Sequence, residues 1–208
     1  MKKTLTKTIK FWLIPAVIGI LVTVFLRSNY ASLYRVEGNQ MYPTISNNQM
    51  ILVQPISPTN VSRGTIVAYK TNSKLRQNSD IKKLTGRIIG LPGDKVSFVD
   101  NKLMVNGRTV RDWYIEKNVL SATGLGINTG WTLQTLSTNL NWPKSDRNSQ
   151  TVAKNSYFIL NDNRENTIDS RTYGYVKDTN LIGVAKSAFW DMNKYSNRIN
   201  DGANRFFK

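Results

Sequence analysis

Residues 86–107 read GRIIGLPGDKVSFVDNKLMVNG. Short runs rich in branched and aromatic residues, 87–89, 96–99 and 103–105, are separated by two turn signals, Gly93-Asp94 and Asn106-Gly107. The second is the stronger hairpin signal, because both of its residues tolerate the positive φ angles of a tight turn. Outward from this stretch the pattern repeats at 50–53, 65–70, 157–160 and 181–185, with Gly, Pro, Asn and Asp between the runs. Such spacing predicts a mostly β domain of half-buried antiparallel strands over residues 34–190. The polar stretch 72–80 reads as a loop. Residues 121–150, rich in Ser, Thr, Asn and Gly and carrying Trp131 and Trp142, read as an inserted flap or small lobe. Residues 191–208 are polar and basic, with Phe206-Phe207 near the end, and read as a surface helix or a disordered tail.

Upstream lies a different kind of segment. Residues 11–26, FWLIPAVIGILVTVFL, carry no charge and are bracketed by Lys10 and Arg27. As a helix they span about 24 Å, a little short of the roughly 30 Å hydrocarbon core, and Ile9 with snorkelling flanking cations makes up the difference. A single transmembrane anchor is expected. Lys2, Lys3, Lys7 and Lys10 put residues 1–10 in the cytoplasm and everything after Arg27 outside. A cleaved signal peptide is the competing reading, but Asn29-Tyr30-Ala31 is a poor cleavage site.

Composition narrows the chemistry. The 208 residues contain no cysteine and no histidine. Disulfide frameworks, thiolate chemistry, His-based triads and zinc hydrolysis are thereby excluded, and no metal or cofactor is expected. Any hydrolase here needs a lysine or carboxylate base. The net charge of +16 suits an anionic neighbour such as lipid headgroups or cell wall. Nucleic acid is not expected as a partner, given the outside location.

Four stretches at ordered spacing carry a resemblance: residues 36–45, VEGNQMYPTI; 63–69, RGTIVAY; 86–94, GRIIGLPGD; and 161–171, NDNRENTIDSR. Together they resemble the sequence boxes of type I signal peptidases, with the apolar segment just upstream of the first, as in that family. The resemblance implies a coiled antiparallel β core with an inserted lobe, preceded by one transmembrane helix. It also implies an apolar groove for an extended peptide, lined by Met41, Pro43, Ile66, Val67 and Tyr69. Arg87, Asp162, Arg164, Asp169 and Arg171 would be scaffold ion pairs, and Thr167 stands where the family has a hydroxyl that orients the catalytic lysine. Asn161 replaces a glycine.

The family's chemistry needs a serine hydroxyl as nucleophile and a neutral, desolvated lysine as base. The matching positions hold Gln40 and Gly86, which offer neither. Lys83 lies on the wrong strand face to replace the base, and Lys82 is about 13 Å away along an extended strand. Thr44 and Ser46 lie near Gln40, with no evident base. The expectation is therefore a protein without peptidase activity. The resemblance extends to signal-peptidase-like assembly factors of Gram-positive pili, which implies an exported client: pilin subunits, with a pilin sortase as partner. The alternatives are an active signal peptidase with a relocated dyad, or an accessory subunit or regulator of one. Gln40→Ala and Gly86→Ala are both expected to be tolerated, the second unless residue 86 needs a positive φ.

Overall fold

A computed structural model describes residues 2–29, 32–57, 61–71, 83–115, 130–139, 142–188, 190–191 and 194–207. The expected loop 72–80 and most of the first half of the expected insertion lie outside these residues. The chain forms two units, Met1–Ser32 and Leu33–Lys208. The first is the helix α1 (Lys2–Asn29), with Pro15 inside it. Its described side chains, 11–24, are all exposed. Among the described residues no helix is long and apolar enough to cross a membrane; the expected anchor at 11–26 runs past those described side chains.

The second unit is built from eleven described strands. A seven-stranded antiparallel sheet has the order β1-β2-β11-β3-β4-β9-β10, from β1 (Ser32–Arg35), β2 (Met50–Gln54), β11 (Leu181–Lys186), β3 (Ile66–Lys70), β4 (Lys83–Gly90), β9 (Ser156–Leu160) and β10 (Val176–Lys177). A four-stranded sheet has the order β7-β6-β5-β8, from β7 (Arg108–Thr109), β6 (Lys102–Val105), β5 (Val96–Val99) and β8 (Trp131–Thr132). Three short helices complete it: α2 (Leu133–Asn139), α3 (Ser170–Tyr173) and α4 (Ser196–Asn200).

The large sheet departs from the expected half-buried pattern. β3 is buried at every position but Lys70, and β4 at every position but Lys83. Burial on both faces explains why β3 reads as a continuous apolar run, whereas β4 also buries Thr85 and Arg87. Ile66 and Ala68 join one core with Val36, Met41, Ile45 and Ile51, while Val67 and Tyr69 join another with Ile88, Ile159 and Tyr173. Both faces of the sheet are thus covered. A third core holds Ile89, Phe158, Leu160, Trp131 and Trp142.

Two regions correct the sequence reading. Trp131 opens β8 and stacks on Phe98, and Trp142 packs on Tyr175 with ring centroids 5.0 Å apart. The described part of the expected inserted lobe is therefore anchored in the core by Trp131, Leu133, Leu136 and Trp142, while most of its other described residues stay at the surface. The C-terminal segment is also docked: Phe206 and Ile199 are buried, and Val110 bridges Phe207. Its many polar residues concealed these apolar contacts.

Turn chemistry holds the smaller sheet. Asn106 and Gly107, both at positive φ, close the β6–β7 hairpin as expected; Asp100 and Asn101, also at positive φ, close β5–β6. Asp94 anchors the turn before β5, accepting hydrogen bonds from Arg63, the Leu91 N–H and the Asn106 amide. Burial alone would raise its carboxyl pKa, but these donors together hold it below the usual carboxylate value. A depressed folded-state pKa contributes stability that is present above the unfolded pKa and lost as pH falls through the folded one. Asp94→Asn is expected to flatten the acid limb of a urea-midpoint profile below about pH 4; an unchanged profile would contradict this.

Candidate active site

The first box, residues 36–45, forms a turn fixed by backbone bonds from Tyr42 N to Asn39 O and from Ile45 N to Met41 O. Gln40 lies in it, nearly buried, its amide Nε2 donating to the Glu37 carbonyl at 2.9 Å. Glycine at 38 (φ +90) is required twice over, because a Cβ there would run into the Gln40 Oε1. The last box docks on this turn: Asn163 N donates to the Gln40 carbonyl, and Asn163 Nδ2 to the Asn39 carbonyl.

Gly86 sits mid-strand in β4, opposite Val67 in the β3 register. It is not among the glycines with positive φ. A Cβ at 86 would lie 2.5 Å from Ile159 Cγ2 and 3.3 Å from Tyr69 Cε1. The expected tolerance of Gly86→Ala is therefore corrected, and for reasons of space rather than backbone conformation. Overpacking at such a site costs about 1–3 kcal/mol, so Gly86→Ala is expected to lower the urea midpoint, and Gly86→Ala/Ile159→Leu, which has no Cγ2 at 159, to recover part of the loss. Equal midpoints for wild type and Gly86→Ala would sink this.

Two buried ion pairs brace the boxes. Arg87 Nε and Nη2 grip Asp162 at 2.8 and 2.6 Å, with neither side chain exposed. Burial works against the charge on Arg87, yet the Asp162 carboxylate raises its pKa. Arg171 takes Asp169 through Nε and Nη2 and also donates to the Arg164 and Asn166 carbonyls. Arg164 differs from the expected pattern. It pairs with no carboxylate among the described residues; its Nη2 donates to the Tyr114 hydroxyl. Asn161 in place of glycine acts as a staple, its Nδ2 donating to the Asn166 and Ile168 carbonyls. Thr167 is half-buried, and its carbonyl accepts from Thr172 Oγ1.

The expected groove residues lie inside the fold and do not line one surface: Met41 and Ile66 belong to one core, Val67 and Tyr69 to the core on the other face of the sheet. Met41, Ile66, Val67 and Tyr69 are wholly inaccessible and Pro43 is buried. Tyr69 donates to or accepts from Tyr173 across 2.6 Å, and burial raises its pKa. β3 is also no edge: Val67 and Ala68 pair with β4 on one side and β11 on the other. The expected groove for an extended peptide is therefore corrected at 66–69, since these side chains are buried and the backbone groups that a peptide strand would use are already spent. Sequence reasoning missed Tyr114, Tyr173 and the C-terminal carbonyls, which carry no motif and reach the boxes only through the fold. Two hydroxyls near positions 40 and 86, Thr44 Oγ1 and Thr85 Oγ1, are buried with no hydrogen-bond partner among the described residues.

The signal peptidase, peptidase S26, family model matches residues 6–190. Signal peptidase IB of Staphylococcus aureus is 26% identical over 202 residues, covering 96% of this chain and 97% of that protein. Signal peptidase I V of Bacillus subtilis is 28% identical over 181 residues, covering 86% and 98%. The crystal structure of a signal peptidase I from Enterococcus faecalis is 30% identical, with a TM-score of 0.44, over 63% of this chain and 98% of that one. The Staphylococcus and Bacillus proteins overturn the expectation of a noncatalytic pilus assembly factor. They match nearly end to end, they are named as peptidases, and nothing in their names points to pili. The expectation rested on two side chains. Gln40 and Gly86 remain facts of the sequence.

Proposed function

Because this chain belongs to the signal peptidase, peptidase S26, family, we propose that it acts in the cleavage of exported precursors, as a peptidase whose nucleophile and base stand elsewhere than positions 40 and 86. The observation that carries this is the nearly end-to-end likeness to signal peptidases. Thr44 is the candidate nucleophile: its Oγ1 is in the same turn as Gln40 and has no hydrogen-bond partner among the described residues, so that a substrate must first open the turn that buries it. A hydroxyl without an adjacent amine is a weak nucleophile, so turnover slower than that of the named relatives is expected. The test incubates purified full-length protein in detergent micelles with an exported precursor and maps products by mass spectrometry. Cleavage at one site, abolished in Thr44→Val, supports the proposal. No product above a protein-free blank rejects it.

A second reading, an accessory subunit or regulator of a signal peptidase, is favoured by the packing at the dyad positions. The Gln40 amide is tied to a carbonyl, and Ile159 with Tyr69 fills the side-chain space at 86. Adding the protein to an active signal peptidase and following precursor cleavage separates the two readings: a changed rate without cleavage by the protein alone marks the regulator. The proposal also takes residues 11–26 of α1 as a single membrane anchor with the basic residues 1–10 on the cytoplasmic side, supported by the uncharged run and the exposure of its described side chains.

A further inference from the structure

Arg87 donates five hydrogen bonds. Two go to Asp162, and Nη1 donates to the Gly64 carbonyl at 2.8 Å. The remaining two, one from Nη1 and one from Nη2, both end on the Arg198 carbonyl at 3.2 Å. A guanidinium has five N–H donors, so none is left over, and its face is covered by the Tyr114 ring, 4.0 Å from Cζ. Arg87 thus ties together the third box through its own strand, the second through Gly64 and the last through Asp162. The fourth attachment is the C-terminal segment, which lies beyond the family match at 6–190.

That segment is fitted closely to its seat. A Cβ on Gly64 would strike the Gly202 carbonyl, and a Cβ on Gly202 would strike both the Gly64 carbonyl and Arg87 Nη1. Two backbones approach here so closely that only glycine fits on either side. Further along, Arg198 Nη1 donates to the Tyr114 carbonyl, Arg111 N donates to the Phe206 carbonyl, and the Arg108 guanidinium lies 4.2 Å from the centre of the Phe207 ring.

We propose that residues 194–207 are a clasp that positions the site: the Arg198 carbonyl, seated by the Gly64–Gly202 contact, holds Arg87 and so fixes β4 at 86–87 against the second and last boxes. Arg87, Arg198 and Gly202 are positioning residues, acting through strand placement. The proposal stands on packing and holds whether or not the protein cleaves precursors.

The test is hydrogen exchange followed by mass spectrometry on the full chain in detergent, comparing wild type, Gly202→Ala and the exposed control Asn204→Ala. In Gly202→Ala, amides of 83–90 and 161–166 are expected to exchange roughly tenfold faster or more, with those of β5–β6 unchanged. Asn204→Ala should match wild type. Faster exchange confined to 194–207, or equal acceleration everywhere, would overturn the clasp. Should Gly202→Ala fail to fold, wild type decides by the same measurement: in sub-denaturing urea the amides of 83–90 and 161–166 should exchange together with those of 194–207. Exchange only with global unfolding would reject the proposal. Absent precursor cleavage with these exchange results intact would sink the peptidase reading alone.

Discussion

Arg87→Met is expected to cost about 3–5 kcal/mol of folding stability, because it leaves the Asp162 carboxylate buried without its counter-charge. Asp162 is wholly inaccessible and receives both of its charge-assisted bonds from Arg87. The Gly64 and Arg198 carbonyls lose a donor at the same time, and unsatisfied buried groups add their own desolvation penalty. For a chain of this size the loss corresponds to a fall in Tm of roughly 6–20 °C. Arg87→Lys should behave almost as badly, since an ammonium cannot match the fork geometry. The informative variant is Arg87→Met/Asp162→Leu, which removes both charges and should recover a large part of the stability. Urea denaturation of the four proteins measures this. A cost under about 1 kcal/mol for Arg87→Met would mean the pair is solvated in a way its burial denies.

Trp142→Ala is the second large effect, expected at about 3–5 kcal/mol. The indole is 1% exposed, lies against Tyr175 and Phe158, and donates from Nε1 to the Arg171 carbonyl at 3.2 Å. That bond links the aromatic core to the residue that braces Asp169, so the loss should reach the last box as well as the core. Trp142→Phe keeps much of the volume and should cost clearly less. Denaturant midpoints check the ordering. A near-neutral Trp142→Ala would return this tryptophan to the role of a surface contact residue.

The sequence made the strands legible wherever branched residues ran between turn formers, and the seven expected strands lie within two or three residues of observed ones, β4 being longer than read. The missed strands β1, β7, β8 and β10 are two to four residues long, too short for periodicity to register. Double-sided burial of β3 was hidden for a related reason: a core on each face gives a run of apolar residues with no polar stripe to orient it, and in β4 the buried Arg87 and Thr85 looked like surface. At the site, the boxes gave Arg87, Asp162, Asp169 and Arg171 by resemblance. They could not give Tyr173 or Arg198, whose backbone or ring meets the boxes only after a long detour of the chain. Nor could they show that Ile159 and Tyr69 fill the space beside Gly86, because what surrounds a glycine is a property of packing. The peptidase reading itself came from likeness over the whole chain, where attention to two missing side chains had led elsewhere.

The strand order of the large sheet bears on how the chain is made. β11, near the end of the sequence, lies between β2 and β3, pairing with Leu52–Gln54 on one side and Val67–Tyr69 on the other. Until residue 186 is available, strands separated from it by more than a hundred residues have an empty middle place between them. Early closure would leave exposed strand edges of the kind that mispair, and long-range pairing is slow by its nature. A chain delivered from its N-terminus therefore completes this domain only after nearly all of it has emerged from the ribosome or the export channel, so the last strand sets the moment at which the first ones fold.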